Sequence, residues 1–160
     1  MSVEMDPLNF DFTPANLAGY GLSPVIAGDY LSYRVQYVVD GVAQSLLDAV
    51  LVLTLRRRDG TVAPDDQVLQ RRSLDNIAGW TPTTKQIAID ADQSQETETG
   101  TGKGWYAINF TPPDEAALLG VLGLWHYDVR ALFSDGRVRT LLRGRMQILS
   151  PRTASTQFTP

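Results

Sequence analysis

At 160 residues and 17.6 kDa the chain has room for one domain with tails. The net charge of -4 argues against general binding to nucleic acid or to an anionic membrane, and the absence of cysteine removes disulfides, thiolate metal sites and cysteine nucleophiles together. With one histidine, His126, a multi-histidine metal centre is excluded within a single chain, and no cofactor is implied.

In chain order, residues 1–28 follow no steady period and are interrupted by Pro14, Gly19, Gly21 and Pro24. Acids and prolines stand there where a signal peptide needs basic residues and then an apolar run. The segment still carries Leu8, Phe10, Phe12, Leu17, Tyr20, Leu22, Val25 and Ile26, more apolar surface than a solvated tail keeps. We read it as an extended N-terminal arm that packs onto a neighbouring subunit, with packing onto its own domain as the alternative. Tyr30 to Val39 then alternates as a strand, placing Leu31, Tyr33, Val35, Tyr37 and Val39 on one face, and runs into the turn pair Asp40-Gly41. Leu46 to Arg56 reads as the central strand, with Leu47, Ala49, Leu51, Leu53 and Leu55 inward, and Asp59-Gly60 follows as a turn. Val68 to Arg72 and Gln86 to Asp90 are shorter candidates, separated by the loop around Trp80-Thr81-Pro82. Residues 91–103 read as a mobile polar loop, and Gly104 to Phe110 as a further strand. Thr111 to Gly120 is punctuated as a short helix, with a hydroxyl and prolines first, acids in the first turn and glycine last. Leu124 to Phe133 and Arg137 to Leu149 are two strands joined by Ser134-Asp135-Gly136.

Three Asp-Gly pairs between apolar runs predict a meander of antiparallel strands. The expected fold is all-β, a single immunoglobulin-like antiparallel β-sandwich over residues 29–150, ahead of a closed barrel, with the arm at 1–28 and a short C-terminal tail at 151–160.

Charge is unevenly placed. Residues 1–127 hold eight basic and sixteen acidic side chains, whereas residues 128–160 hold six arginines against Asp128 and Asp135. Strict alternation along the last strand puts Arg137, Arg139, Arg143 and Arg145 on one face. Four guanidinium groups in a row repel one another unless solvent, acids on adjacent strands or a partner answer them. The partner-binding candidates are therefore Leu8, Phe10 and Phe12 on the arm and these four arginines on the last strand.

Other chemistry is sparse. His126 and Asp128 share a strand face and are able to orient a general base, although a histidine between Trp125 and Tyr127 is more often a packed residue. Asp90, Asp92, Ser94 and Glu96 alternate oxygen ligands, but Gln95 and Thr101 stand where a calcium loop needs glycine and acid. Gly100-Thr101-Gly102-Lys103-Gly104 lacks the spacing of a phosphate loop. No catalytic residue is assigned and no enzyme is expected. A carbohydrate-binding module remains an alternative if Trp80, Trp105 or Trp125 forms a stacking platform.

Three stretches carry a resemblance: Gly28-Asp29, the run Asp48-Ala49-Val50 into Leu51-Val52-Leu53-Thr54-Leu55-Arg56-Arg57, and the ending. That ending is Trp125-His126-Tyr127-Asp128-Val129-Arg130, then Ser134-Asp135-Gly136, then Arg139-Thr140-Leu141-Leu142-Arg143-Gly144. Over about residues 28–150 the chain resembles the small β-sandwich domain at the N-terminus of tailed-phage baseplate upper proteins and similar virion structural proteins. The resemblance implies a non-enzymatic virion component, made in the host bacterial cytoplasm and present in many copies or as a homo-oligomer. It would attach to capsid, fibre, neck or baseplate, with head decoration or fibre-base ahead of a baseplate or tail position.

Overall fold

The computed structural model describes residues 8–80, 84–95 and 100–152. The chain is all-β, as its period-two patterning predicts. Eleven strands are present among the described residues: β1 (Leu8–Asn9), β2 (Val25–Ile26), β3 (Leu31–Gln36), β4 (Val38–Val39), β5 (Val42–Ala43), β6 (Val50–Arg56), β7 (Gln67–Arg72), β8 (Ile87–Ile89), β9 (Trp105–Phe110), β10 (Gly123–Leu132) and β11 (Val138–Leu149). Two short helices, α1 (Pro14–Gly19) and α2 (Glu115–Leu119), interrupt them. The larger sheet runs β1-β11-β10-β6-β7 with β2 also on β11, a second sheet runs β3-β9-β8, and β4-β5 is a small hairpin around Asp40-Gly41. Leu51, Leu53, Leu55, Tyr127 and Val129 of the first sheet and Tyr33, Tyr106, Ile108 and Phe110 of the second join one hydrophobic core.

The order is less local than a meander. The Asp-Gly turns do join antiparallel neighbours, yet β10 lies against β6 and β3 against β9, both distant in sequence. Residues Tyr106 to Phe110 of β9 are all buried, as suits the middle strand of its sheet with both faces covered. The predicted strand from Leu46 also begins late. Asp48 adopts a left-handed conformation (φ 58°), so the chain turns before Val50. Leu46 is therefore buried while Leu47, expected inward, is 64% exposed.

The N-terminal segment corrects the arm reading. From residue 8 to 28 it packs onto its own domain, so the boundary at 28 does not divide the structure. Without it, β11 would present an open row of backbone groups, a hazard that sheets cover. Phe10 and Phe12 donate their N–H groups to Arg143 and Arg145 (2.9 and 2.8 Å), and Ala27 donates to Leu149 (2.9 Å). β1 and β2 lie parallel to β11, so the sheet is not purely antiparallel. Phe12 is 1% exposed, its ring edge-on to those of Phe10, Tyr33 and Tyr127. Gly144 makes the approach possible: a Cβ there would collide with the Phe10 carbonyl, which instead accepts a hydrogen bond from the Tyr127 hydroxyl (2.6 Å). Two brief pairings separated by a helix leave no period in the sequence, which is why the segment reads as an arm. Residues 1–7 of that arm and 153–160 of the tail lie outside the described residues.

The predicted helix start forms as a 3₁₀ turn, Pro112–Asp114, followed by α2. Thr111 and Asp114 cap it reciprocally, the carboxylate accepting from the Thr111 N–H at 2.8 Å. The other oxygen of Asp114 takes a hydrogen bond from Arg71 (2.9 Å), whose guanidinium is buried and lies over the Phe110 ring. Charge, cap and ring thus lock β7 to the turn that follows β9.

The polar loop is also tied down where it is described. Gln93 is buried, its amide oxygen accepting from Leu46 and Gly104 N–H groups while its nitrogen donates to the Asp90 and Gly102 carbonyls. The expectation of a mobile loop fails for this stretch; residues 96–99 lie outside the described residues.

Candidate functional site

The arginine row does not survive folding intact. Between Val129 and Arg130 the pairing of β10 with β11 slips by one residue, so Leu141 is an extra residue on β11. Leu141 and Leu142 are both buried as a result. Beyond the bulge, Arg139 pairs with the buried Ala131 and belongs to the core side, whereas Arg143 pairs with Asp128 and Arg145 with His126 on the outer side. Arg137 precedes the strand, bonding Asp135 at 2.7 Å and lying over the Phe133 ring. Arg145 is answered from within the chain by Asp11 (2.9 Å). That hydrogen bond holds the Asp11 carboxyl below the usual range and raises Arg145. Arg143, on the outer side, has a loose partner, Asp59, at 3.8 Å.

The arm candidates change meaning too. Phe12 is core and is closed to a partner, while Phe10 is half-buried against Phe12 and Tyr20. The side chain of Leu8 lies outside the described residues, although its backbone pairs with Leu142. Phe10, Tyr20, Leu22, Tyr33 and Trp105 border an apolar cavity of about 330 Å³ between the N-terminal segment and β3.

The tryptophans form no common platform. Trp125 packs on the core and donates its indole N–H to the Val121 carbonyl (2.7 Å). Trp105 lies under Arg34 at one end of β9, and Trp80 stacks on Tyr30 beside the other. The alternating acids are likewise taken up locally: Asp90 pairs with Arg34 (2.6 Å) and Asp92 accepts from Ser94, while Glu96 lies outside the described residues. Among the described residues, no group of three or more His, Asp or Glu side chains is arranged to hold a metal ion.

What the structure does assemble is a trough on the outer face of the larger sheet. Here β6, β10 and β11 present Arg56, His126, Asp128, Arg130 and Arg143, and the loop after β6 adds Arg58 and Asp59. A cavity of about 300 Å³ lies among them. A second, of about 210 Å³, shares Arg56, Asp128 and Arg130 and continues to Val52, Leu132 and Val138. Burial raises the Asp128 carboxyl, and the charges of Arg56, Arg130 and Arg143 oppose that rise. Asp128 accepts no hydrogen bond among the described residues, and neither Arg56 nor Arg130 closes an ion pair there. Nη1 of Arg56 is buried with no hydrogen-bond partner. His126 and Asp128 share the face as the alternation predicts, among the guanidinium groups of Arg56, Arg58, Arg130 and Arg143.

Arg56, Arg58 and Arg130 were not among the residues that the sequence reading selects. The signal was present in the run Arg56-Arg57-Arg58 and in the alternation of Arg130 with Asp128. Only the pairing of β10 with both β6 and β11 brings them to one place. A comparison with protein-family models matches none, and no curated protein is significantly similar to the chain.

Proposed function

We propose that this chain is a non-enzymatic structural protein of a tailed-phage particle, a head decoration or fibre-base component, with a baseplate, tail or neck position as the alternative. In this reading it is present in many copies and binds other virion proteins through an exposed sheet face, and the domain is an immunoglobulin-like sandwich. The observation that carries the reading is the open outer face of the larger sheet, where, among the described residues, Arg56 and Arg130 close no ion pair and Arg58 and Arg143 have loose partners, Asp66 and Asp59, at 3.8 Å. Arginine in such settings makes forked, specific pairs and is enriched at protein interfaces.

The resemblance supports the same reading through residues with structural work to do. Gly28 (φ +92°) allows the chain to pass close to the Glu115 side chain. Tyr127 and Val129 enter the core, Ser134-Asp135-Gly136 turns β10 into β11, and Gly144 admits the N-terminal segment. Partner binding through the N-terminal apolar residues is no part of the proposal, because Phe12 is buried in its own domain. The test is protein mass spectrometry of purified particles together with antibody labelling in electron micrographs. Labelling at a regular position on the particle is expected; absence of the chain from washed, intact particles would sink the proposal.

A further inference from the structure

The two cavities on the outer face form one trough with two chemical halves. At one end stand Arg56, Arg58, Arg130 and Arg143, balanced in part by Asp59 and Asp128. At the other end Val52, Leu132 and Val138 form an aliphatic floor, with Leu132 49% and Val138 45% exposed. His126, Asp128, Arg130 and Leu132 follow one another along the same face of β10, so the trough is about 20 Å long at roughly 3.3 Å per residue. This matches a stretch of about six extended residues. The arginine end holds more positive than negative charge, within a chain whose total is -4. A buried guanidinium nitrogen of Arg56 without a hydrogen-bond partner is a donor that its own domain leaves unused, and such groups are costly unless something satisfies them.

The geometry points to an extended acidic segment of a partner protein as the occupant, with carboxylates at the arginine end and an aliphatic side chain on Leu132 and Val138. Carboxylates match the forked donors of arginine, and an aliphatic residue covers apolar surface that would otherwise remain in water. Charge selects the ligand class and the aliphatic floor sets its direction. A nucleic acid would supply anions without the apolar anchor, and so would leave half the trough unused. The inference deepens the docking role proposed above and rests on it, but it does not depend on where in a particle the chain sits.

The test is fluorescence anisotropy on the full chain with labelled eight-residue peptides. The probe carries two glutamates near one end and a leucine near the other; its comparators replace both glutamates with glutamine, or leucine with serine. A single-stranded oligonucleotide of similar length is the competing probe. The acidic peptide is expected to bind, and both comparators to bind about tenfold more weakly, the order of effect of losing one charge-assisted hydrogen bond or one buried aliphatic group. Arg56→Gln and Arg130→Gln should each weaken it about tenfold. Arg34→Gln should not, because that side chain stands on β3 of the second sheet and pairs with Asp90 (2.6 Å). Raising salt from about 0.05 to 0.5 M should weaken binding, since exposed charges are screened over a shorter distance.

Equal binding of the glutamine peptide, or no effect of either trough variant, would overturn the proposal. An oligonucleotide that binds as tightly and depends on the same arginines would do so as well. Should the chain be found in particles while the acidic peptide does not bind, the site falls and the structural role stands. Binding by a chain absent from particles gives the reverse.

Discussion

Truncating Phe12 tests most directly whether the N-terminal segment belongs to its own domain. The ring is 1% exposed and meets three other aromatic rings at centroid distances of 5.0 to 5.3 Å. Phe12→Ala removes that burial and leaves a cavity walled by Tyr33 and Tyr127, for which roughly 3–5 kcal/mol is the usual cost. With a urea slope of about 2 kcal/mol per molar for a domain of this size, the unfolding midpoint should fall by about 2 M. Against a total stability of roughly 5–15 kcal/mol, that is a large fraction. Phe10→Ala, at a half-buried ring, should cost less, about 1–2 kcal/mol. The assay is equilibrium urea unfolding followed by fluorescence at two protein concentrations at least tenfold apart. If Phe12 packs in its own domain, the midpoint drops and the two proteins respond alike to concentration. A midpoint untouched by the substitution would refute the reasoning, and so would a wild-type midpoint that rises with concentration while that of Phe12→Ala does not, because the ring would then be seated in another copy.

Three further perturbations probe other parts of the structure. Asp114→Ala strips the partner from a guanidinium that is 3% exposed and uncaps the turn, so it should destabilise by roughly 3–5 kcal/mol. Arg71→Met combined with Asp114→Ala should recover much of that in calorimetric melts; failure to recover would show that the cap, not the buried charge, dominates. Gln93→Ala leaves the Leu46 and Gly104 N–H groups buried without an acceptor, at a cost of about 1–3 kcal/mol. Hydrogen exchange at those two amides should accelerate, and unchanged protection would contradict the pinning role. Asp128 concerns pH. Because burial raises its carboxyl above the unfolded value of 3.8, the folded chain holds that proton more tightly, and stability falls as pH rises from the unfolded value through the raised one. Asp128→Asn, which keeps a neutral group there, should raise the melting temperature at pH 7, with the advantage shrinking near pH 3. A variant less stable than wild type at neutral pH would mean that the ionised carboxylate's attraction to Arg56, Arg130 and Arg143 outweighs its burial.

Local pattern carried the strands and turns because these rest on neighbours in the chain. Alternation at Leu51, Leu53 and Leu55, the turn at Ser134-Asp135-Gly136 and the punctuated start at Thr111 each express a preference within a few residues. Their structures follow, down to the reciprocal cap of Thr111 and Asp114. Alternation failed where one residue changed the phase. The left-handed Asp48 reversed Leu46 and Leu47, and the extra Leu141 sent Arg139 to the opposite face from Arg143. A bulge of this kind leaves little trace in sequence, because it is stabilised by what the strand packs against and not by its own side-chain order.

The amino-acid sequence by itself determined the all-β class, the turn positions, the apolar residues able to form a core and the concentration of arginine in the last strands. Tertiary structure alone decided that residues 8–28 close the edge of β11 and that Arg56, Arg58, Arg130 and Arg143 meet around Asp128. Both outcomes depend on pairings between segments far apart in the chain. Whether such pairings form is decided by edges needing cover, interiors needing filling and charges needing company, none of which is visible until the whole chain has folded.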